Sequence, residues 1–466
     1  MCLSKGGEIV SRIKNVDMLR GNLFRSIISF SVPILFIGLI QQLFNAVDIM
    51  VLGYLADTDA VASVGATSTI IHLLTNVALG VSSGAKIILA RLMGEGEEKK
   101  TRETVYTSMV TALVLGVLVG ILGMSLSPVF LRLTGCPSKI FDAANIYMMI
   151  YFASVPAMMI YNFGANILQV SGDSQRPLYY MILSGLLNVG LNLLLCLTLT
   201  DKVAAVAIAT AASQILGAVL VVRRLLVMNG DCRLRLRGSR FSLFSFGKLM
   251  SNGIPIGITN SLYSLANLQI QSSINSFDTA AIAGNSATTS LENLQAAVVA
   301  TPWHTAAGVF VGKNLGAGNK ERVQKSFLYC LGISAFLSIL VSATIYGFSH
   351  ELVSLYVSSE EAISFSQIRM LFTTLPYVLA TTNGLLTGTI QAFGYSVFTT
   401  VNSIVSVLGF RIIWMQFIYP LNPTFHMLML CFLISWGLVF VVNLAFFSYV
   451  YFGKFKRGKI KKIGEG

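Results

Sequence analysis

The sequence predicts an all-α polytopic membrane protein, with twelve transmembrane helices in two pseudo-symmetric six-helix bundles around a central cleft. Two observations on composition and one on internal repetition lead to this class. Of the 466 residues, 54% are hydrophobic and only 11% are charged, and the mean hydropathy is +0.72. An ordinary soluble domain has about 25% charged residues. These charges cannot cover a water-exposed surface, so the chain must use lipid as its solvent.

Twelve apolar runs are each long enough to cross a hydrocarbon core, which takes about 20 residues of helix. The runs are continuous rather than alternating, so we expect helices and not the strands of a barrel. The predicted spans are 27–53, 61–93, 104–132, 138–170, 174–198, 201–228, 246–274, 279–315, 322–348, 361–391, 395–419 and 424–452.

The basic residues fall on one side of these spans. The loops of that side, together with both tails, hold 28 of the 33 Lys and Arg residues, whereas the opposite loops hold only Arg132, Lys139 and Lys202. By the positive-inside rule we expect both termini in the cytoplasm and the protein in the plasma (inner) membrane. Basic loops beside lipid headgroups also account for the net charge of +13, so membrane lipid is the expected partner and nucleic acid is not.

Residues recur along the chain at one constant offset of 222 positions. The matching pairs are Pro33 and Pro255, Asn45 and Asn267, Ala85 and Ala307, Gly94-x-Gly96 and Gly316-x-Gly318, Gln169 and Gln391, and Gly172 and Gly394. We therefore expect a cytoplasmic N-tail (1–26), an N-lobe (27–228), a basic cytoplasmic linker (229–245), a C-lobe (246–452) and a basic cytoplasmic C-tail (453–466). Six spans in each lobe insert both lobes the same way up, as in parallel-repeat transporters.

Three sequence motifs resemble those of the multidrug and toxic compound extrusion (MATE) family, bacterial type. They are Ser31-Val32-Pro33 followed by Asn45-Ala46-Val47-Asp48 and Ala62-Ser63-Val64-Gly65, then Phe310-Val311-Gly312-Lys313-Asn314-Leu315-Gly316-Ala317-Gly318 with Lys where Gln is commoner, and Arg411-Ile412-Ile413-Trp414. The resemblance covers essentially the whole chain. It implies a twelve-helix exporter of organic, often cationic compounds in exchange for H⁺ or Na⁺.

Polar stripes in the N-lobe predict an ion site, because an ionisable group inside a span is costly and persists when it is paired or functional. The stripes are Gln41, Asn45 and Asp48; Asn162, Asn166 and Gln169; and Ser184, Asn188 and Asn192. At the offset of 222, Asp48 becomes Ile270, Asn188 becomes Phe410 and Asn192 becomes Trp414. We therefore expect coupling through the N-lobe alone.

The expected coupling residues are Gln41, Asn45, Asp48, Asn188 and Asn192, and the expected cavity lining is Asn162, Asn166, Gln169, Ser184, Tyr263 and Asn267. Na⁺ could bind the oxygens of Asp48, Asn188 and Asn192, or Asp48 could take up and release a proton; we favour the proton. The MATE resemblance assigns the first-span carboxylate to Asp48. Two departures stand out: one branch has a second Asp where this chain has Asn192, and another has Glu where it has Tyr263. No further cofactor is expected.

The C-lobe has its own set of charged residues inside the spans, Glu292, Arg369 and Arg411. We predict a buried pair of Glu292 with Arg411, and place Arg369 near the exit. A fixed structural pair is favoured, and the alternative is that Glu292 contacts a cationic substrate.

Together these features predict a monomeric secondary antiporter that exports organic, cationic compounds by alternating access. No G-x-x-x-x-G-K-[ST] motif is present, so ATP is not the expected energy source, and no His, Cys and carboxylate cluster suggests an enzyme. The alternative is a flippase for lipids or lipid-linked oligosaccharides from a related superfamily branch. That function would favour several cationic side chains in the cleft to hold pyrophosphate.

Overall fold

The computed structural model describes residues 15–55, 58–458 and 460. The first half of the chain forms six long helices, one for each predicted span. They are α1 (Leu23–Leu55), α2 (Thr58–Glu95), α3 (Glu98–Leu133), α4 (Ser138–Val170), α5 (Gln175–Thr198) and α6 (Lys202–Val227). Side-chain caps mark some of the helix starts, because the first backbone N–H groups of a helix lack partners within it. Asp201, for example, accepts a hydrogen bond from the Ala204 N–H at the start of α6.

The second half repeats this order with more interruptions. Its helices are α7 (Leu243–Ile274), α8 (Thr279–Val299), α9 (Thr301–Gly316), α10 (Lys320–Gly347), α11 (Ser349–Ser354), α12 (Glu360–Phe372), α13 (Tyr377–Ala392), α14 (Ser396–Ser403), α15 (Phe410–Ile413) and α16 (Phe425–Ser448). The architecture is the predicted one: twelve spans in two pseudo-symmetric six-helix lobes. Within the described ranges, nine spans are apolar enough along one helix to cross a membrane.

Two predicted spans are broken in the structure. The eighth, expected as one helix over 279–315, divides at Ala300 into α8 and α9, and the tenth, expected over 361–391, divides into α12 and α13. Proline stands at both breaks, with Pro302 at the first turn of α9 and Pro376 directly before α13. Proline removes a helix hydrogen bond and is favoured in the first turn of a new helix, which explains both positions.

The eleventh span carries wide helical turns. It continues from α14 through a π-helical segment, Ile404–Gly409, then α15, then a second π-helical segment, Trp414–Ile418. Segments of π-helix are rare and frequently occur at functional sites. Arg411 lies on the short α-helical turn between them.

The lobes are related by pseudo-symmetry where α2 meets α9. A Cβ atom added to Gly94 would lie 2.0 Å from the carbonyl oxygen of Lys313, and one added to Gly316 would lie 2.1 Å from that of Arg91. Both contacts differ by the offset of 222 residues that the sequence repeats. The following turns match as well, with φ of +73° at Gly96 and +70° at Gly318.

A second contact between the lobes joins α2 to α7 through glycine. A Cβ atom on Gly80 would lie 2.1 Å from the backbone nitrogen of Gly257, and one on Gly84 would lie 2.6 Å from that of Gly253. Only residues without a side chain let two helix backbones approach so closely. These glycines therefore permit the close contact between α2 and α7 that joins the two lobes.

We call one end of the molecule the basic end and the opposite end the acidic end. The basic end contains residues 15–22, the basic linker and the ends of α2 and α9.

At the basic end an N-terminal segment, residues 15–22, bridges both lobes. The Val16 N–H donates to the Gly172 carbonyl at 2.9 Å. On the other side, the Met18 carbonyl accepts from Asn314 Nδ2 at 3.1 Å and Arg322 Nη2 at 3.3 Å. Met18 is fully buried, so this segment closes the basic end across the junction of the lobes.

Candidate functional site

A cavity of about 180 Å³ lies inside the N-lobe and is called cavity N. Its lining residues belong to α1, α4, α5 and α6, and most of them lie near the middle of their helix. Its lining combines apolar side chains such as Phe44 and Met181 with a polar wall. The described residues of that wall are Gln41, Asp48, Ser184, Asn188, Thr210, Ser213 and Gln214.

Asp48 heads a chain of hydrogen bonds in this wall. Asn192 Nδ2 donates to Asp48 Oδ1 at 2.6 Å and contacts Asn188 Oδ1 at 3.2 Å. Asn188 Nδ2 in turn contacts Thr210 Oγ1 at 3.5 Å. The chain links α1, α5 and α6, and both asparagines are buried while Asp48 is half-buried. Asn192 Oδ1 has no hydrogen-bond partner among the described residues.

The structure places the remaining predicted N-lobe residues as follows. Gln41 and Ser184 line cavity N together with Asp48 and Asn188. The side chain of Asn45 lies outside the described part of the structure. Asn162 donates to the Met158 carbonyl of its own helix at 2.8 Å, and Asn166 donates to Ser82 Oγ of α2 at 3.1 Å.

These two asparagines and Gln169 were expected to line the cavity, and they line neither of the two cavities described here. Asn162 and Asn166 of this stripe instead donate to the backbone of α4 and to a side chain of α2, and both are half-buried.

A second cavity, called cavity C, lies inside the C-lobe and measures about 290 Å³. The predicted residues Tyr263, Asn267, Glu292, Arg369 and Arg411 all line it. It lies in the half of its lobe nearer the acidic end. Aromatic side chains form much of the remaining wall: Tyr377, Phe432 and Trp436.

Glu292 is paired with Arg369, so the predicted pair of Glu292 with Arg411 is wrong. Arg369 Nη2 lies 2.7 Å from Glu292 Oε2, and Arg369 Nε lies 3.2 Å from Oε1. Thr373 also donates to Glu292, and Arg369 Nη1 donates to Asn285. The reason is helix rotation: α12 turns Arg369 toward α8, whereas α15 turns Arg411 toward α7 and α16.

Sequence reasoning missed Asn285 and Thr373, which complete the partners of this pair, and Thr210 and Gln214, which complete cavity N. A signal was present for the first two. Asn285 and Glu292 are seven residues apart on one helix, and Arg369 and Thr373 are four apart, so each pair shares a helix face. Thr210 and Gln214 share the same spacing on α6.

Comparison with known proteins places these features in a family. The family model described as MatE matches the chain twice, over residues 33–194 and again over 255–415. The second match begins 222 residues after the first, which is the offset of the internal repeat. The matched segments cover well over half of the chain.

Curated relatives agree with this assignment. The chain is 25% identical over 402 residues to a probable multidrug resistance protein, YoeA, of Bacillus subtilis (strain 168), covering 84% of this chain and 86% of that one. It is 24% identical to a protein of Shewanella oneidensis described as an FAD transporter, covering 74% and 77%.

A solved structure described as MATE in complex with MaL6 has the same fold. It superimposes with a TM-score of 0.88 at 20% identity and covers 96% of this chain and 100% of that one. The repeated family match, the two six-helix lobes and these likenesses lead to one conclusion: the chain belongs to the MATE family of multidrug efflux transporters.

Proposed function

We propose that this protein is a secondary active exporter that moves organic compounds outward in exchange for an inward-moving cation, by alternating access of its two lobes. Membership of the MATE family supplies multidrug efflux as the general activity. The added element is the coupling step, which we assign to Asp48 and its neighbours in cavity N. We further propose that the basic end faces the cytoplasm of a plasma (inner) membrane, because basic loops are retained on that side.

One observation carries the proposal: the hydrogen-bond chain from Asp48 through Asn192 and Asn188 to Thr210. Asp48 is the one carboxylate among the described residues that line cavity N. A carboxylate inside a span costs roughly 2.5–3.5 kcal/mol on insertion scales. The repeat position in the C-lobe, Ile270, is apolar, so the fold does not require a charge there. A functional role is therefore the best explanation for a carboxylate at position 48.

The donor arrangement favours a proton over Na⁺ as the coupling ion. Asn192 presents its N–H group to Asp48, whereas a Na⁺ ion would need carbonyl oxygens turned toward it. A proton that moves inward through Asp48 would supply about 2.3 kcal/mol per 100 mV of membrane potential, in addition to its concentration gradient. A rotation of the Asn192 amide would present its unpartnered oxygen to the site, and this is the arrangement that Na⁺ coupling would require.

Organic cations are the first class of cargo that the site supports, because cavity N combines one carboxylate with apolar and aromatic walls. The relatives carry different descriptions, a multidrug resistance protein in one case and an FAD transporter in the other, so no single cargo transfers to this chain. The flippase alternative has less support, since cavity N has no Lys or Arg among its described lining residues, and one of the two arginines that line cavity C is paired with Glu292.

The test is uptake of ethidium by everted membrane vesicles, driven in turn by an imposed pH gradient and an imposed Na⁺ gradient. Wild type is compared with Asp48→Asn at matched abundance. Asp142→Asn serves as the control, because Asp142 is an exposed carboxylate at the acidic end of α4. We expect uptake under the pH gradient in wild type and in the control, and none in Asp48→Asn.

Three results would contradict parts of the proposal. Uptake under the Na⁺ gradient alone would replace the proton by Na⁺ and keep the site. Full activity of Asp48→Asn would remove Asp48 from coupling. No uptake under either gradient would favour the flippase, which an assay of lipid scrambling in proteoliposomes would then detect.

A further inference from the structure

Cavity C differs from cavity N in the sign of its charge. Its charged lining residues are Glu292, Arg369 and Arg411, whereas the described lining of cavity N has only Asp48. The two cavities correspond under the internal repeat, because Gln41, Asp48 and Thr210 of cavity N lie 222 residues before Tyr263, Ile270 and Phe432 of cavity C. The described lining of cavity N thus has a net negative charge, and that of cavity C has a net positive charge.

The carboxylate of Glu292 accepts three hydrogen bonds from its neighbours. Arg369 holds both oxygens in a two-pronged arrangement at 2.7 and 3.2 Å, and Thr373 donates to Oε1. Such a fork is the strongest geometry for an arginine and a carboxylate. Glu292 and Arg369 therefore cancel each other and contribute no net charge to the cavity.

Arg411 is left without a carboxylate among the described residues. Its Nη1 donates to Asn267 Oδ1 at 2.8 Å and its Nε to Ser435 Oγ at 3.3 Å, and Nη2 donates to no described residue. The side chain is 1% exposed. A guanidinium removed from water and paired only with neutral groups is expensive, and neutral partners recover part of that cost. An anion that enters the cavity would offset the remaining free-energy cost of burying the guanidinium.

The surroundings of Arg411 fix its position rather than let it swing away. The guanidinium carbon lies 4.5 Å from the centre of the Phe432 ring, which provides a cation–π contact. The hydrogen bonds to Asn267 and Ser435 hold the guanidinium from two further sides. Arg411 is thus presented to the cavity in one orientation, as expected of a preorganised binding group.

We propose that cavity C binds the anionic group of an organic cargo, a carboxylate, sulfonate or phosphate, against Arg411, with the aromatic rings of Phe432, Tyr377 and Trp436 around its apolar body. This inference rests on the proposed export function and extends it to a second class of cargo. Arg411 is the specificity-determining residue. The Glu292–Arg369 pair shapes the opposite wall and binds no ligand.

The experiment is equilibrium binding of a two-ring aryl carboxylate, naphthoate, to purified full-length protein in phosphatidylcholine nanodiscs. Naphthamide, a neutral molecule of nearly the same shape, is the matched probe. Wild type should bind naphthoate at least about tenfold more tightly than naphthamide, since a hydrogen bond to a charged group is worth more than a neutral one. Arg411→Gln should bind both probes equally, and Arg411→Lys should keep part of the preference.

Further arms separate this inference from the proposed export mechanism. Asp48→Asn should lose ethidium uptake and retain the preference for naphthoate, because the two cavities are in different lobes. Should Arg411→Gln fail to fold, the comparison of the two probes in wild type and in Arg411→Lys still decides.

Equal binding of the two probes by wild type, or an unchanged preference in folded Arg411→Gln, would overturn the proposal. Nanodiscs that contain phosphatidylglycerol supply the last arm. Loss of naphthoate binding in them would assign the site to an anionic lipid headgroup and equally overturn the assignment to cargo.

Discussion

Asn192 of α5 donates a hydrogen bond of 2.6 Å to the carboxylate of Asp48 on α1, which lines cavity N. Asn192 is fully buried, so its amide is shielded from water. The contact thus determines how Asp48 is held in the state described here. It is the most direct point at which to test whether cavity N couples ion movement to transport.

The first prediction concerns this contact. Asn192→Ala should lower gradient-driven ethidium uptake by about tenfold at matched abundance, because a hydrogen bond to a charged group is worth about 1.5–3 kcal/mol. Initial uptake rates in everted vesicles are the measurement. The matched control is Asn162→Ala, which removes an amide that donates to the Met158 carbonyl in its own helix. Equal losses in the two variants would mean that Asn192 acts through packing alone.

The second prediction concerns the pair of Glu292 and Arg369. Glu292→Ala should reduce the abundance and the melting temperature of the detergent-purified protein, since removal of one partner of a buried pair typically costs about 3–5 kcal/mol. Fluorescence-detected chromatography after heating provides the measurement. The double variant Glu292→Leu with Arg369→Met should recover much of the loss, because it leaves no unpaired charge. A single variant as stable as wild type, with transport selectively lost, would instead indicate contact with substrate.

The internal repeat was predictable from sequence because it depends on local backbone geometry. Gly172 and Gly394 have φ of +94° and +96°, a region that residues with a side chain rarely adopt. A glycine at such a turn is readable without knowledge of the fold. The same holds for the twelve spans, which depend on length and hydropathy.

The partners of the charged residues were not predictable in the same way. Sequence placed Glu292, Arg369 and Arg411 inside spans of the C-lobe, but their pairing depends on how far each helix is rotated about its axis. The break at Ala300 and the π-helical turns around Arg411 alter those rotations. Three-dimensional packing, rather than spacing along the chain, thus decided which arginine meets Glu292.

The third prediction concerns the glycines that join α2 and α7. Gly80→Ala should lower the melting temperature, because its Cβ would lie 2.1 Å from the backbone of Gly257 and overpacking costs about 1–3 kcal/mol. Gly65→Ala on the same helix is the control, since nothing lies within 4 Å of its added Cβ. A Gly80→Ala protein as stable as the control would show that the lobes separate easily at this contact.

The fourth prediction concerns the N-terminal segment, residues 15–22. Arg322→Ala should increase hydrogen exchange of the Val16 amide, because Arg322 donates to the carbonyls of Met18, Arg20 and Gly21 and holds the segment in place. Mass spectrometry of exchanged peptides is the measurement. Lys325→Ala should leave exchange unchanged, since the ion-pair partner of Lys325 among the described residues is the exposed Glu321 on the same helix. Unchanged protection in both variants would show that Met18 burial alone anchors the segment.

The fifth prediction is the pH dependence of the same segment. Burial alone would raise the pKa of Asp17. The backbone N–H groups of Leu19 and Arg20 donate to its carboxylate and outweigh that effect, so the pKa lies below its ordinary value of 3.8. A carboxyl group with a lowered pKa stabilises the folded state at pH values above the unfolded pKa and loses that contribution as the pH falls.

Protection of the Val16 amide should therefore be constant from neutral pH down to about pH 4 and should decline as the pH falls below 3.8. Asp17→Asn should keep most of the protection, because its amide oxygen can accept the same two hydrogen bonds, and it should remove this pH dependence. Asp17→Ala should lose protection at every pH. Protection that declines equally in wild type and in Asp17→Asn would place the responsible group elsewhere at the basic end.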